Sequence, residues 1–346
     1  MFFALFGITI GIGIAMQTAV NSQLRKFVIS PFLASMISFC IGCIFLTAAT
    51  LLNGSSLVVP FHVFTDEPRW IWIGGLLGVV ALTTNILLFP KLGSVQTSVM
   101  PILGMIMMSM VIDHFGFFRS PKQPFGMSRI WGVILVLLGV FLAVALGEIL
   151  QYRRYRQLAK EQATKIEKTS MASKANKAIK SEIDNKVDQG PDSRSGSSQW
   201  LWRFIGIGSG MLMATQAAIN GQLGKVLHSP VHAAFISFFV GLVILIFIVV
   251  IKDRSMTNMV QPIKLSAPWW VWIGGILGAV YVLGNAFLVG EIGTGQTVML
   301  ALFGQITGSL LVEQFGLLRS NRNKVRPIQI LGLILMLSGV FLIKML

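Results

Sequence analysis

The chain contains an internal repeat that covers most of its length. Met16–Leu24 reads MQTAVNSQL and Thr215–Leu223 reads TQAAINGQL, which gives an offset of 199 residues. Further along the offset becomes 200, because WIWIGGLLG from Trp70 matches WVWIGGILG from Trp270. Polar residues and glycines stay in register in both copies, which chance alone would not preserve. The sequence is therefore a tandem duplication of one unit.

Long apolar runs fill both copies of this unit. Of the 346 residues, 54% are hydrophobic and 12% are charged, and the mean hydropathy is +0.75. Soluble domains are about 45–50% apolar and about 25% charged, so this composition excludes a cytosolic enzyme, a disulfide-bonded secreted domain and a disordered chain. A helix of about 20 apolar residues crosses a bilayer core. Ten runs approach that length, near residues 2–23, 32–52, 70–90, 95–113, 130–148, 203–222, 232–251, 269–289, 294–312 and 327–345.

Each copy holds five of these runs, and an odd number of crossings inverts the second copy relative to the first. The sequence therefore predicts an all-α integral membrane protein of ten transmembrane helices, arranged as two inverted-topology five-helix repeats. We expect the repeats at 1–150 and 201–346, joined by a basic, flexible linker at 151–200. Many secondary transporters have this architecture, with the substrate site between the repeats near the bilayer midplane.

The positive charge predicts the orientation. The formal net charge is +15, and most lysines and arginines lie in the linker or in alternate gaps between apolar runs. Because such residues stay on the cytoplasmic side, we expect both termini outside and the linker inside, in a bacterial inner membrane. No nucleic-acid partner is expected, since a binding groove would collect the charge on one soluble face. The expected partners are the lipid bilayer and a small-molecule substrate. A monomer can form the transporter because both repeats are fused in one chain, and a homodimer is the alternative.

Glycines recur as small-xxx-small pairs in the predicted spans. Without side chains, such positions let helices approach closely and gain contact that lipid does not supply. We expect close helix packing at the pairs Gly7/Gly11, Gly74/Gly78, Gly206/Gly210, Gly274/Gly278 and Gly304/Gly308.

Amide side chains also lie inside the predicted spans. Amides are costly in hydrocarbon, so they face a bundle interior or a wet cavity. Gln17 and Asn21 share one helix face, and Gln216 and Asn220 repeat them. Gln305 lies closest to a span centre and is the best single candidate for touching substrate. The alternative is that the amides only hydrogen-bond one helix to another. The candidate substrate-pathway residues are Gln17, Asn21, Asn85, Gln96, Gln216, Asn220, Asn285, Gln296 and Gln305.

Charged side chains avoid the span centres. Asp113 and Glu313 lie at span ends beside Arg119 and Arg319, where we expect interfacial anchors or salt bridges. The absence of central charge favours a neutral or zwitterionic solute. The sequence contains no Ser-His-Asp set, phosphate loop or metal-ligand cluster, so we expect no enzyme activity, no cofactor and no metal.

Motifs of the first half, some of them repeated in the second, resemble those of a known family. They are Q-x-x-x-N-x-x-L, SPF-x-A-x-x-ISF, W-I-GG-LLG, P-K-L-G and D-H-F-G-x-F. Together they resemble the YdcZ-like branch of the drug/metabolite transporter superfamily, whose usual member is a five-span protein of half this length. The resemblance implies a tandem fusion of two such units, acting as a ten-helix transporter with both ends outside. It implies no particular substrate.

The sequence thus favours a secondary-type membrane transporter. Such an exporter or facilitator would move a small amphipathic metabolite or drug-like solute by alternating access. The alternative is a non-transporting membrane receptor or assembly scaffold. A water-accessible cavity that reaches Gln305 would favour transport, and a closely packed interior would favour the alternative.

Overall fold

A computed structural model describes residues 2–54, 56–123, 126–146, 157, 196–319 and 325–344. Within these ranges, no side chain is described for 82, 85–87, 89–99, 143–145, 196–199, 313, 340, 343 and 344. The predicted linker 151–200 lies outside the described residues, except for 157 and 196–200.

The described chain folds into helices and connecting loops. A π-helical turn, Phe141–Leu146, extends the helix that ends at Val140, and another, Ile248–Asp253, extends the helix that ends at Phe247. Short helices, Phe61–Asp66 and Gln261–Lys264 among them, lie in the loops. Within the described ranges the long helices are α1 (Phe2–Val28), α2 (Pro31–Leu52), α3 (Gly74–Phe115), α4 (Met127–Val140), α5 (Gly196–Val226), α6 (Pro230–Phe247), α7 (Gly274–Ile292), α8 (Thr294–Phe315) and α9 (Pro327–Lys344).

A repeated Ser-Pro motif begins the second helix of each half. The Ser30 hydroxyl oxygen accepts a hydrogen bond from the Leu33 N–H at 3.1 Å, and that of Ser229 accepts one from the His232 N–H at 3.2 Å. A proline follows each serine at the first helical position, where its missing N–H is not needed. The sequence repeat is therefore also a repeat of local structure.

The helices have the length and surface of a membrane protein. Large side chains such as Phe239, Phe247 and Phe341 are 52%, 61% and 61% exposed on the outer surface. Lipid, rather than water, accommodates a surface of this kind. Five helices among the described residues are long and apolar enough to cross a bilayer: Phe2–Val28, Pro31–Leu52, Pro230–Asp253, Trp269–Ile292 and Thr294–Val312. The prediction of an all-α membrane protein is confirmed.

Helix α3 covers two of the predicted spans. Its 42 residues would reach about 63 Å if straight, roughly twice the hydrocarbon thickness. However, a β-carbon added to Gly206 of α5 would lie 3.4 Å from Leu88 and 2.8 Å from Met100. A straight helix would hold Leu88 and Met100 about 18 Å apart, so α3 folds back between them. In the second half the same path is divided into α7 and α8 at Gly293, where φ is +84°.

The two halves pack on each other through reciprocal contacts. Helix α1 lies along α7 and α8, and its counterpart α5 lies along both arms of α3. A β-carbon on Gly11 would lie 2.1 Å from the carbonyl oxygen of Ala301, and one on Gly210 would lie 1.8 Å from that of Pro101. Such distances exist only because glycine has no side chain. The predicted close packing at the glycine pairs is confirmed.

An apolar cluster with members from both halves extends this contact. Ile106 and Val136 of the first half and Leu302 and Met336 of the second are each at most 1% exposed. Because lipid tails are as apolar as these side chains, close packing rather than exclusion of water stabilises the cluster.

Loop contacts mark one end of the helices, which we name the Asp113 end (residues 67, 113–123 and 292–295). Here Arg119 forms an ion pair with Glu67 at 2.9 Å. The side-chain amide of Gln123 donates a hydrogen bond to the Ile292 carbonyl at 3.2 Å. Residues of the first half therefore meet the loop between α7 and α8 of the second half.

A different set of loops meets at the other end, which we name the Asp253 end (residues 23–30, 253–258 and 319). The side-chain amide of Gln23 donates to the Arg319 carbonyl at 3.4 Å, and that of Asn258 donates to the Val28 carbonyl at 3.4 Å. Arg319 is the repeat counterpart of Arg119. These two equivalent residues therefore make their contacts at different ends.

Candidate functional site

The first predicted amide pair lies where the two halves meet. Gln17 and Asn21 of α1 face Gly278 and Gly274 of α7. A β-carbon on Gly278 would lie 2.2 Å from the Gln17 Nε2 atom, and one on Gly274 would lie 2.3 Å from the Asn21 Oδ1 atom. The amides thus occupy the space that side chains at these glycines would need.

The second amide pair repeats this arrangement with the halves exchanged. Gln216 and Asn220 of α5 face Gly78 and Gly74 of α3, where added β-carbons would lie 2.5 Å from Gln216 Nε2 and 2.3 Å from Asn220 Oδ1. Each amide pair of one half therefore contacts a glycine pair of the other half. We name these two contact areas together the amide seam.

A serine hydroxyl accompanies each asparagine of the amide seam. The Ser38 hydroxyl donates to Asn21 Oδ1 at 2.7 Å, and Asn220 Nδ2 donates to the Ser237 Oγ atom at 3.1 Å. Neither serine was predicted from the sequence. They occupy equivalent positions in the repeated ISF motif, and a polar residue repeated within an apolar run was the available signal.

A small cavity opens beside the second amide pair. Its volume is about 20 Å³, close to the minimum that one water molecule needs. Helix α5 contributes Gln216 and Asn220 to its wall, and α7 contributes Tyr281 and Asn285. Tyr281 and Asn285 are four residues apart, so their side chains are neighbours on one face of α7. Three predicted pathway residues thus lie together with Tyr281, which we did not predict because its counterpart is Ala81.

Gln296 and Gln305 are not among the residues that line this cavity. Gln305 is half-buried on α8, and its counterpart Met105 is 4% exposed in the apolar cluster. Gln296 is half-buried near the start of α8. Asn85 and Gln96 lie in the stretch of α3 whose side chains are outside the described residues.

A buried carboxylate joins the two halves at the Asp113 end. Asp113 is fully buried, and its oxygens accept hydrogen bonds from the backbone N–H groups of Thr294 at 3.0 Å and Gly295 at 2.8 Å. These residues begin α8, where the helix dipole favours a negative charge. The Arg129 guanidinium lies 3.4 Å from Asp113, and Gln123 accepts hydrogen bonds from that guanidinium.

This pairing corrects the expected salt bridges. Arg119, which we expected to pair with Asp113, pairs with Glu67 instead, and its side chain is 56% exposed. The true partner is Arg129, and the pair is buried rather than interfacial. The sequence did not reveal it because a loop separates the two residues. The side chain of Glu313, expected to pair with Arg319, lies outside the described residues.

The chemistry available at the amide seam is hydrogen bonding by uncharged groups. Amide and hydroxyl side chains can each donate and accept hydrogen bonds. The amides lie at the contact between the halves, and the serine hydroxyls lie beside it. Among the described residues, no group of three or more His, Cys, Asp or Glu side chains is placed to hold a metal ion.

These features define a membrane protein whose two related helical halves meet along a polar seam. A family model described as "Putative inner membrane exporter, YdcZ" matches residues 2–142 and, a second time, residues 201–342. The chain therefore belongs to the YdcZ family of the drug/metabolite transporters, as a tandem fusion of two units. The family and the apolar helices support a multi-pass inner-membrane transporter.

Other comparisons bear on the fold alone. No curated protein matches the chain. A solved structure titled "Crystal structure of protein" matches over 98% of this chain and 98% of its own, with a TM-score of 0.57 and 12% identity. At that identity the likeness extends to the helical architecture and no further.

Proposed function

We propose that the protein is a secondary transporter that moves a small amphipathic metabolite or drug-like solute by alternating access, as an exporter or facilitator. The observation that carries this proposal is the reciprocal packing of the amide seam, in which the amides of each half contact the glycines of the other. Inverted-repeat transporters bind their substrate at such an interface. One chain supplies both repeats, so a monomer suffices.

The same proposal includes ten crossings and an inverted second half. Counting the two arms of α3 separately gives five helices in each of the repeats 1–150 and 201–346. Inversion is supported by the contacts of Arg119 and Arg319 at different ends. The positively charged residues Arg25, Lys26, Lys252 and Arg254 lie near the Asp253 end. By the positive-inside rule we expect that end to be cytoplasmic, together with the linker 151–200, and both termini to be outside.

The proposed mechanism is a rocking of one half against the other across the amide seam. Glycine contacts allow the helices to slide, because the glycines present no side chain that would interlock with the amides. The amides replace the hydrogen bonds that a solute loses when it leaves water. Because the residues that line the cavity are uncharged, a neutral or zwitterionic solute fits this pathway better than an ion.

One observation favours a second candidate, a non-transporting membrane receptor or assembly scaffold. The cavity is only about 20 Å³ in volume, and Gln305 is not among its lining residues. A closely packed interior is expected of a scaffold. It is also expected of a transporter between its two open states, so the distinction depends on transport itself.

Cysteine labelling tests the inverted topology. Phe117 and Leu317 are repeat counterparts and are 47% and 43% exposed. In a chain whose Cys40 and Cys43 are replaced by alanine, we expect a membrane-impermeant maleimide to label Phe117→Cys in intact cells. Leu317→Cys is expected to react only after the membrane is opened. Labelling of both positions from the same side would contradict the inverted repeat.

Substitution of the seam asparagines tests the transport role. Untargeted comparison of metabolites in knockout and overexpressing cells identifies the solute. We then expect Asn21→Leu and Asn220→Leu to reduce its flux at least about tenfold, because leucine cannot hydrogen-bond the solute. The control is Thr18→Leu, next to Gln17 on the exposed face of α1. Size-exclusion profiles report folding, and unchanged flux in both asparagine variants would assign the amides to helix packing.

A further inference from the structure

A short segment at the Asp253 end leads from α6 towards α7, and we name it the surface segment (residues 254–266). It begins and ends at turns of the chain, where Arg254 and Ser266 have φ values of +51° and +50°. Between these turns the chain forms two consecutive short helices, Met256–Val260 and Gln261–Lys264.

One side of the surface segment packs on the protein. The Asn258 side-chain amide donates a hydrogen bond to the Val28 carbonyl at 3.4 Å. Pro262 is buried, and both short helices contact α1. The segment therefore has a fixed orientation, and its other side faces away from the helix bundle.

The side that faces away is apolar. Met256, Met259, Val260 and Ile263 follow one another at the spacing of a single helix face, and they are between 39% and 71% exposed. In a water-soluble protein such a stripe would pack against the core. A short helix that directs its apolar stripe away from the protein suits the boundary between headgroups and acyl chains.

Positive charge surrounds this apolar face. The exposed basic residues of the segment and of its neighbours are Lys252, Arg254, Lys264, Arg25 and Lys26. Asp253 is the only acidic residue in the stretch 251–269, and its carboxylate accepts hydrogen bonds from the hydroxyl groups of Ser30 and Ser255. The surface thus combines apolar side chains with an excess of cations.

The equivalent loop of the first half has an apolar face but not the positive charge. In its short helix, Phe61–Asp66, the side chains of Phe61 and Phe64 are 80% and 53% exposed. Residues 51–69 contain two acidic residues and one basic residue, whereas residues 251–269 contain three basic residues and one acidic residue. The apolar face is therefore common to both loops, and the excess of cations distinguishes the second.

We propose that the surface segment lies in the headgroup region of one leaflet and binds anionic phospholipids. Its apolar face enters the top of the acyl chains, and Arg254 and Lys264 attract the negatively charged headgroups. In helices of this kind the buried apolar area and the attraction to anionic lipid both strengthen binding. A zwitterionic headgroup has no net charge, so it is attracted less. The proposal requires that the chain lies in a membrane, and it does not depend on the transport function.

Quenching of a fluorophore by labelled lipids tests this proposal. The full-length chain, with Cys40 and Cys43 replaced by alanine, carries the fluorophore NBD at Ile263→Cys in phosphatidylcholine vesicles. A small, equal fraction of phosphatidylglycerol or of phosphatidylcholine then bears a quenching doxyl group near the top of its acyl chain. We expect the phosphatidylglycerol probe to quench about fivefold more efficiently. With Arg254→Gln and Lys264→Gln together, we expect the ratio to fall below about twofold. The matched control, NBD at Phe61→Cys, is expected to be quenched equally by both lipids.

Quenching by neither lipid would overturn the proposal and leave the apolar face to a protein partner. Equal quenching by both lipids at Ile263→Cys would overturn the preference for anionic headgroups. A similar preference at Phe61→Cys, or one that the glutamine substitutions leave unchanged, would show that these cations do not select the lipid. Size-exclusion profiles report folding, and the ratio measured with the native cations decides the matter if the glutamine variant does not fold.

Discussion

Gly210→Ala is expected to destabilise the folded protein by at least about 3 kcal/mol, the upper range for overpacked cores. The added β-carbon would lie 1.8 Å from the carbonyl oxygen of Pro101. Backbone atoms cannot turn aside as a flexible side chain can, so α5 and α3 must separate. The twin substitution Gly11→Ala, 2.1 Å from the carbonyl oxygen of Ala301, is expected to have a similar effect. Thermal unfolding in detergent, followed by circular dichroism, measures both.

The chain provides matched controls on the same two helices. Gly208 of α5 and Gly13 of α1 have no atom within 4 Å of an added β-carbon. Alanine favours helix over glycine by about 0.8–1 kcal/mol, so Gly208→Ala and Gly13→Ala are expected to be neutral or slightly stabilising. If Gly210→Ala unfolds at the same temperature as Gly208→Ala, the close approach of α5 and α3 is wrong.

The features that were predicted correctly from the sequence are those that a short stretch of the chain contains. The glycine pairs were predicted because a helix face is visible in the spacing of residues along the chain. The family was predicted for the same reason, since its motifs are contiguous. The pairing of Gln17 and Asn21 with Gly278 and Gly274 was not predicted. The offset of 199 or 200 residues between the repeats shows which residues are equivalent, but it does not show which residues of the two halves are in contact.

Other features escaped prediction because they break the repeat. Tyr281 has no polar counterpart in the first half, so a comparison of the two copies did not select it. The fold-back of α3 lies between the predicted spans 70–90 and 95–113, but the sequence did not show that the helix continues through it, whereas Gly293 interrupts the helix at the same point in the second half. Arg129 contacts Asp113 because the loop between α3 and α4 brings the start of α4 back to the end of α3. Each of these depends on tertiary contacts that no local pattern contains.

Asp113→Ala is expected to destabilise the protein by about 3–5 kcal/mol, the cost of removing one partner from a buried ion pair. The change leaves Arg129, which is 8% exposed, without its carboxylate. It also removes the acceptor for the N–H groups of Thr294 and Gly295 at the start of α8. Thermal unfolding in detergent measures the loss. The exposed ion pair of Arg119 and Glu67 supplies one control. Arg119→Ala is expected to lower the free energy of unfolding by only about 0–1 kcal/mol.

The repeat supplies a second control at the twin position of Arg129. There Gln329 accepts a hydrogen bond from the Arg326 N–H at 2.9 Å, within its own half. This contact is a local cap at the start of α9, so Gln329→Ala is expected to cost only about 1 kcal/mol. In a double-mutant cycle, Asp113→Ala and Arg129→Ala together are expected to cost less than the sum of the single changes, by about 0.5–3 kcal/mol. Additive effects would show that the two side chains do not interact. Equal losses in Asp113→Ala and Gln329→Ala would show that the carboxylate caps a helix end but does not join the two halves.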